Sequence, residues 1–306
     1  MSPTPLPAHR ISASGETAFG DPSLVFPYWS FTKTVIAALA QQLAAEGKVA
    51  LDRRIGDAPH TLRQLLDHTA GLPDYGTLPS YHAAVAADED PWPRDLLTER
   101  TMAQGRLFSP GNGWSYSNLG YMLARETLET AAGADLATLV RERITGPLGL
   151  GSVILATTRE AFATVCWPGA QRYHPGWVYH GCLMGTARDA ARLLHGLMTG
   201  PLLSVAQRDE MQREHRLGGA LPGRPWTTHG YGLGLMIGRA GPAGRVVGHA
   251  GGGPFCVNTV SHFPDAPEPV TVACFAEGQG EGRTEFEAVR LAVVRQHHPD
   301  AALTTS

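Results

Sequence analysis

The sequence predicts an α/β fold of the α+β type: an antiparallel sheet flanked by helices and carrying a mainly helical insertion. Three observations predict it. Strand-like segments stand at both ends of the chain, the middle is helical with Pro- and Gly-rich joints, and the last third reads as short strands between turn signals, closed by a helix. One sheet built from both termini then takes residues 1–50 and 181–306, and residues 51–180 form the helical insertion.

Taken in order, HRISASGETAFG (9–20) alternates weakly around Gly15 and reads as a strand or hairpin arm. From Thr34 to Glu46, Val35, Ile36, Leu39 and Leu43 recur at helical spacing and Gly47 supplies the stop, which puts Ser30 and Lys33 in the first turn of a helix. In the insertion, TLRQLLDHTAGL has the period of a short helix ending at Gly71. Residues 72–94, dense in Pro and Asp, read as a loop with at most one helical turn, and SPGNGWSYSN as a turn-rich loop. Helices follow over Leu119 to Ala132 and Leu136 to Ile144, and TARDAARLLHGLMTG adds another. In HGYGLGLMIG, Tyr231, Leu233, Leu235 and Ile237 alternate with Gly232, Gly234, Met236 and Gly238. That is the period of a strand whose glycine face lets something pack closely. GRVVGHAGG, PFCVNTVSHFP and EPVTVACFAEG are the next three strands of an antiparallel meander, and EFEAVRLAVVRQHH is the closing helix.

At 306 residues, 43% hydrophobic and 17% charged, the chain can bury a full core. A net charge of -3 without a Lys/Arg cluster points away from nucleic acid and anionic membranes and toward a small or neutral partner. MSPTPLPAHR lacks a basic segment before an apolar one, and no apolar run reaches the roughly 18 residues of a membrane span. A soluble, cytoplasmic protein is expected. Cys166, Cys182, Cys256 and Cys274 form no C-x-x-C pair; Cys256 and Cys274, on neighbouring strands, are the two placed to face each other. No H-E-x-x-H is present and the histidines are scattered, so no metal site is written. GYGLGL and GQGEG do not join a strand to a helix, which disfavours a nucleotide site. GWSYS lacks the last glycine of a G-x-S-x-G elbow.

Only two of the 25 basic side chains are lysines, Lys33 and Lys48. Arginine keeps its proton under any accessible condition, whereas a desolvated lysine can lose it. Ser30 and Lys33, three residues apart in a first helical turn, share one face, where free N–H groups favour developing negative charge. A neutral lysine there can take the serine proton, which an arginine cannot. The plain alternative is a capping serine beside a solvated lysine, and 13 serines with two lysines make an S-x-x-K by accident about once in twelve such chains. A second pattern, Tyr116-Ser117-Asn118, projects a phenol and an amide to one side of an extended backbone. Tyr116 is then a proton acceptor whose pKa a nearby Lys33 lowers, and Asn118 anchors substrate or lysine, unless it merely caps the helix that follows. A third, His249-Ala250-Gly251-Gly252, lies on an inner strand whose glycines let backbone approach a ligand; the alternative is a structural histidine beside a turn. Tyr28, Trp29, Trp114 and Phe255 flank these motifs as core residues or as an apolar acyl pocket.

With WSFTK, LLDHTAGLPDY, YSNLGY, GTARDAARL, YGLGL and GHAGG in this order from about Gly15 to Glu277, the chain resembles the serine β-lactamase and penicillin-binding protein superfamily. Its class C β-lactamase, D-alanyl-D-alanine carboxypeptidase and family VIII esterase branch is the most similar. The resemblance implies a β-lactamase/transpeptidase-like fold with the active site between sheet and helical parts. It implies Ser30 as the acylated nucleophile, Lys33 as its partner and Tyr116 as general base. Asn118, His249, Gly251 and Gly252 would bind substrate, with the backbone N–H groups of Ser30 and Gly252 as the oxyanion hole. No metal or other cofactor is needed. The substrate would be a small ester, amide or peptide, cleaved through an acyl-enzyme.

Two departures shape that expectation. Only 29 residues precede Ser30, fewer than the family commonly has, and the sheet edge left exposed would be covered by a second subunit, a homo-oligomer. His249 stands where many β-lactamases carry lysine; a neutral histidine anchors a carboxylate more weakly, which favours ester or peptide cleavage over β-lactam hydrolysis. The alternatives are an acyltransferase or cyclase, which would prefer an amine or alcohol acceptor to water, and a binding protein of this fold without turnover, against which the retained Lys33 argues.

Overall fold

The computed structural model describes residues 5–294. Among them β1 (Ala8–Ser12), β2 (Gly15–Phe19) and β3 (Val25–Pro27) lead into α1 (Thr32–Ala45). The helical stretch holds α2 (Leu62–Leu66), α3 (Pro79–Ala86), α4 (Arg94–Met102), α5 (Asn118–Ala132), α6 (Leu136–Val140) and α7 (Gly146–Leu148). The chain returns through β4 (Ile154–Ala156), α8 (Arg159–Phe162), β5 (Cys182–Thr186), α9 (Ala187–Thr199) and α10 (Val205–Met211). It finishes with β6 (His215–Gly218), β7 (Trp226–Tyr231), β8 (Met236–Ala240), β9 (Arg245–Gly252), β10 (Cys256–Phe263), β11 (Val270–Glu277) and α11 (Glu281–Val293).

The large sheet has the order β2-β1-β11-β10-β9-β8-β7-β6, so the N-terminal hairpin adds to the edge of the C-terminal meander. Ala8 lies opposite Cys274 and Ser12 opposite Val270, which makes this junction antiparallel. Side chains alternate across the sheet. Val270, Val272 and Cys274 pack with Ala288 and Leu291 of α11, whereas Ala273 and Phe275 pack in the cluster that holds Ala190 and Leu194 of α9. The sheet is therefore covered by α11 on one face and α9 on the other, an α+β architecture with helices flanking an antiparallel sheet.

α1 is the core helix. Thr32 to Gln41 are all buried, as is Leu43, so it is enclosed on nearly every side. Two of its hydroxyls fix it to neighbours: Thr32 Oγ1 accepts from Leu183 N–H of β5 at 3.1 Å, and Thr34 Oγ1 donates to the Gly234 carbonyl at 2.6 Å. The segment before it is also tied, since Tyr28 N–H donates to Leu183 O at 2.7 Å and Asn258 Nδ2 of β10 donates to Pro27 O at 3.1 Å.

Several expectations need correction. HGYGLGLMIG is not one strand: β7 ends at Tyr231, β8 begins at Met236, and between them Gly234 turns with φ +65°. Its apolar alternation arises because Leu233 and Leu235 enter the core from a turn. The close approach expected there is real, and α1 makes it: a Cβ on Gly234 would lie 2.6 Å from Lys33 O and 2.7 Å from Ala37 Cβ. Residues 72–94 hold more than one turn of helix, because Pro79 at the first position of α3 is pre-set for helix and starts eight residues of it. α4 and the short sheet β3-β5-β4 carried no periodic signal, the strands being only three to five residues long. The helix expected over Leu136–Ile144 passes into a π turn at Arg141–Thr145. The closing helix starts four residues early, and residues 295–298 of that expectation lie outside the described residues. Cys256 pairs in register with Glu277 and Cys274 with Thr259, so the two do not face each other, and all four cysteines are free. Among the described residues no helix is long and apolar enough to cross a membrane, and no His/Cys/Asp/Glu group is placed to hold a metal.

Gly234→Ala tests the packing of the β7–β8 turn on α1. The positive φ and the contact with Lys33 O should together cost about 2–3 kcal/mol, read as a lower midpoint in urea at unchanged slope.

Candidate active site

Ser30 sits in a single 3-10 turn, Trp29–Phe31, that runs directly into α1. Its predecessor Trp29 has φ +44°, a left-handed conformation that a bulky residue adopts at a cost of roughly 1–3 kcal/mol. The indole is held by what surrounds it. Its Nε1–H donates to Cys256 Sγ at 3.2 Å, and Tyr173 and Phe255 lie edge-on at 5.4 and 5.6 Å between ring centres. Opposite, a Cβ on Gly251 would lie 2.9 Å from both Tyr28 O and Trp29 Cβ. The backbone that Gly251 admits is thus the turn carrying Ser30.

Three side chains named from the sequence converge here. Lys33 Nζ lies 3.2 Å from Ser30 Oγ, Tyr116 OH lies 2.9 Å from the same oxygen, and Lys33 Nζ donates to Asn118 Oδ1 at 2.7 Å. Asn118 is not the helix cap: Ser117 is, accepting from Gly120 N–H at 3.0 Å, which frees the amide at the first position of α5. Tyr116 and Asn118 therefore face one site across extended Ser117.

The electrostatics are set by burial. Lys33 is fully buried, and desolvation brings its amine down to about 7, against the pull of Asp74 and Cys182. Tyr116 goes the other way from the expectation. Burial of the phenol, reinforced by Tyr231, raises its pKa well above the ordinary value, and Lys33, itself near half-neutral at pH 7, does not reverse this. His249 is likewise desolvated, down to about 3, and is neutral. Its ring nitrogens are both engaged inside the protein, Nε2 with Tyr231 OH at 2.8 Å and Nδ1 with the Ala250 carbonyl.

Residues that sequence reasoning passed over complete the surroundings. Asp74 accepts from Asn118 N–H at 2.9 Å and from Asn118 Nδ2 at 3.1 Å, which turns Asn118 Oδ1 toward Lys33. Burial raises the Asp74 pKa. His68, at φ +65°, accepts Ser117 N–H at 3.1 Å and lies 4.3 Å from the Tyr116 ring centre. His180 Nε2 lies 3.1 Å from Lys33 Nζ. Asp74 and His68 lie within the quoted LLDHTAGLPDY, where a buried role was legible in principle; His180 carried no spacing signal.

Two cavities border Ser30. One of about 630 Å³ is lined by aromatic side chains including Trp29, Tyr75, Tyr81, Tyr173 and Trp177. The other, about 430 Å³, is lined by Trp114, Tyr116, Tyr231, Met236 and His249. Both share Ser30, Asn118, Gly252, Arg224 and Glu281. Of the flanking aromatics, Tyr28 is core, Trp29 is both core and cavity wall, and Trp114 lines the second cavity. Phe255 packs edge-on against Trp29.

An antiparallel sheet between helices, with a serine and lysine one turn apart at the start of a buried helix and a tyrosine hydroxyl on the same serine oxygen, defines the serine β-lactamase/transpeptidase class of fold. The Beta-lactamase family profile matches residues 17–295, and the chain belongs to that family. It is 26% identical over 263 residues to a penicillin-binding protein of Bacillus subtilis, covering 73% of this chain and 54% of that protein. Over 125 residues it is 34% identical to a D-aminopeptidase of Cereibacter sphaeroides, covering 40% of this chain and 24% of the relative. The chain thus matches about half or less of the length of these curated relatives. Among solved structures it is similar in fold to a D-stereospecific amidohydrolase from Streptomyces, with TM-score 0.77, 24% identity and coverage of 92% of this chain and 93% of that one. A D-amino acid amidase from Ochrobactrum anthropi gives TM-score 0.78 and 21% identity, with 94% and 92% covered.

Removing the charge that holds Lys33 up should push it further down. With the Asp74 carboxylate neutralised in Asp74→Asn, the Lys33 amine titrates below 7. Lysine labelled with 13C at Cε checks this directly, because the chain has only two lysines and Lys48→Arg assigns them.

Proposed function

We propose that this protein is a serine hydrolase that cleaves a small amide, peptide or ester through an acyl-enzyme on Ser30. The observation that carries it is the meeting of Lys33 Nζ and Tyr116 OH on Ser30 Oγ, at 3.2 and 2.9 Å. A serine needs a base, and the amine brought down to about 7 is one at neutral pH. The Ser30 proton passes to Lys33 Nζ as Oγ attacks the carbonyl carbon. Tyr116, kept protonated by burial, donates to Oγ and hands a proton toward the leaving group, taking the Lys33 proton in return. Water then repeats the cycle on the acyl-enzyme. The N–H groups of Ser30 and Gly252, both bordering the two cavities, are the proposed oxyanion donors, each worth a few kcal/mol in the transition state.

Amide or peptide substrates with a D-configured residue are the proposed preference, supported by the names of the relatives, a D-aminopeptidase and D-amino acid amidohydrolases. The neutral, internally bonded His249 supports the same choice over an anionic β-lactam, since it presents no charge to a carboxylate. Asn118 is proposed to contact the substrate amide, and Gly251 to act through the nucleophile turn it admits.

Intact mass measured with a short-chain p-nitrophenyl ester tests the proposal. Ser30 should gain the acyl mass while nitrophenol is released, and Ser30→Ala should lose turnover by about a thousandfold or more at an unchanged melting temperature. Turnover by the folded Ser30→Ala protein, or no acylation by esters and D-amino acid amides alike, would sink it. The pH dependence has a definite sign. Below about 7 Lys33 carries its proton and has no lone pair, so acylation falls about tenfold for each unit of pH and levels off above.

A further inference from the structure

We propose that His180 is a positioning residue for Lys33: its Nε2 accepts one amine N–H and thereby directs the Lys33 lone pair at Ser30. The inference rests on Ser30 as nucleophile and Lys33 as base, and its test separates the two. A neutral amine has two N–H bonds and one lone pair, and Nζ has three hydrogen-bonding neighbours. These are Asn118 Oδ1 at 2.7 Å, His180 Nε2 at 3.1 Å and Ser30 Oγ at 3.2 Å. Asn118 Oδ1 can only accept, because the amide nitrogen of that side chain is committed to Asp74. If His180 also accepts, both N–H bonds are used and the lone pair is left for the Ser30 hydroxyl. Were Nε2 instead to donate, it would occupy the lone pair and turn an N–H toward Ser30, leaving no acceptor for the serine proton.

In the proposed arrangement the single ring proton of a neutral His180 sits on Nδ1, and Nε2 is left to accept from Lys33. His180 is 3% exposed, desolvation holds its pKa well below the usual value, and its Nδ1 has no hydrogen-bond partner among the described residues. A neutral ring carries one proton, so an accepting Nε2 requires it on Nδ1. The arrangement also serves the second half of the transfer. When the O–H bond of Ser30 breaks and the proton joins Nζ, the ammonium has three N–H bonds and three acceptors, Asn118 Oδ1, His180 Nε2 and the serine oxygen. No ring flip or tautomer change intervenes, so the histidine stays neutral throughout and the proton is free to move on toward the leaving group.

The experiment reads Lys33 first without any substrate. In protein with 13C at lysine Cε, His180→Leu removes an acceptor of the buried ammonium and should lower the Lys33 pKa by about one unit, a tenfold change in its proton affinity. His180→Gln, whose carbonyl restores an acceptor, should recover most of it. With a p-nitrophenyl ester at pH 8.5, where Lys33 is neutral in every variant, His180→Leu should lower the acylation rate about tenfold or more with KM little changed. His180→Gln should again restore part of it. Identical Lys33 titrations in wild type and folded His180→Leu would overturn the proposal. So would 15N-histidine spectra of the wild type showing the His180 proton on Nε2, a measurement that does not depend on a variant folding. If the Lys33 shift appears but no ester or amide acylates Ser30, the positioning role stands and the hydrolase assignment falls.

Discussion

A lysine amine with no access to solvent is the constraint on which the rest of this structure turns. Burying an ammonium without partners costs several kcal/mol, and the usual escape is to lose the proton or to surround it with acceptors. Here both occur. The Nζ atom is ringed by Ser30, Asn118 and His180, with the Asp74 carboxylate one residue behind Asn118, and the balance leaves the amine near 7. Too strong an anion would return it to a permanent cation and too apolar a pocket to a permanent amine. The carboxylate acts through an interposed amide, at a remove that keeps both forms within reach of neutral pH.

Holding that group in place requires a helix that cannot move. α1 is buried on almost every side, its N-terminal turn is strained at Trp29, and glycines on two other elements make room for it, Gly234 under Lys33 and Ala37 and Gly251 under Tyr28 and Trp29. The strain is offset locally: the Trp29 indole is packed between aromatic rings and bonded to Cys256, so its position is over-determined and Ser30 follows from it. The site and the core are thus one packing problem. The same α1 residues that join sheet to helices also present Ser30 at the mouth between two cavities.

Much of this was legible in the sequence where the signal was chemical or periodic. Lys33, one of two lysines in an arginine-rich chain and three residues after a serine, pointed to the pair that the structure brings to 3.2 Å, and turn signals with a weak alternation at the start located β9 to β11 and the N-terminal hairpin. What escaped had physical reasons. The 231–237 alternation came from a turn plunging two leucines into the core, and periodicity cannot tell that from a strand. β3 and β4 are three residues each, too short for a pattern, and they owe their pairing to β5 from far along the chain. Asn118 read equally as cap or ligand until Ser117 took the cap. His180, one histidine of 13, lies 147 positions from Lys33, a pairing that only the fold brings together.

The sign of the Tyr116 shift has the widest mechanistic consequence. A phenol near a cation would be expected to ionise more easily, but that holds only while the cation is charged, and desolvation acts on both groups at once. Burial penalises phenolate and ammonium alike, so the phenol keeps its proton while the amine, near 7, gives its own up as pH rises through neutrality, and phenol plus amine is the pair above that point. His249 and His180 are pushed to their neutral forms by the same burial. Beside the Lys33 amine, the phenol and the two imidazoles are neutral hydrogen-bonding groups in a low-dielectric setting, where in the proposed reaction fixed N–H dipoles would act on a developing oxyanion far more strongly than water would allow. The charged side chains that border both cavities are paired, Arg224 with Glu281 at 2.8 Å and with the buried Glu285. For the proposed hydrolase, a cleft so arranged would have little hold on a substrate by net charge and would select it by shape and hydrogen bonding, a task suited to two aromatic-lined cavities meeting at one serine.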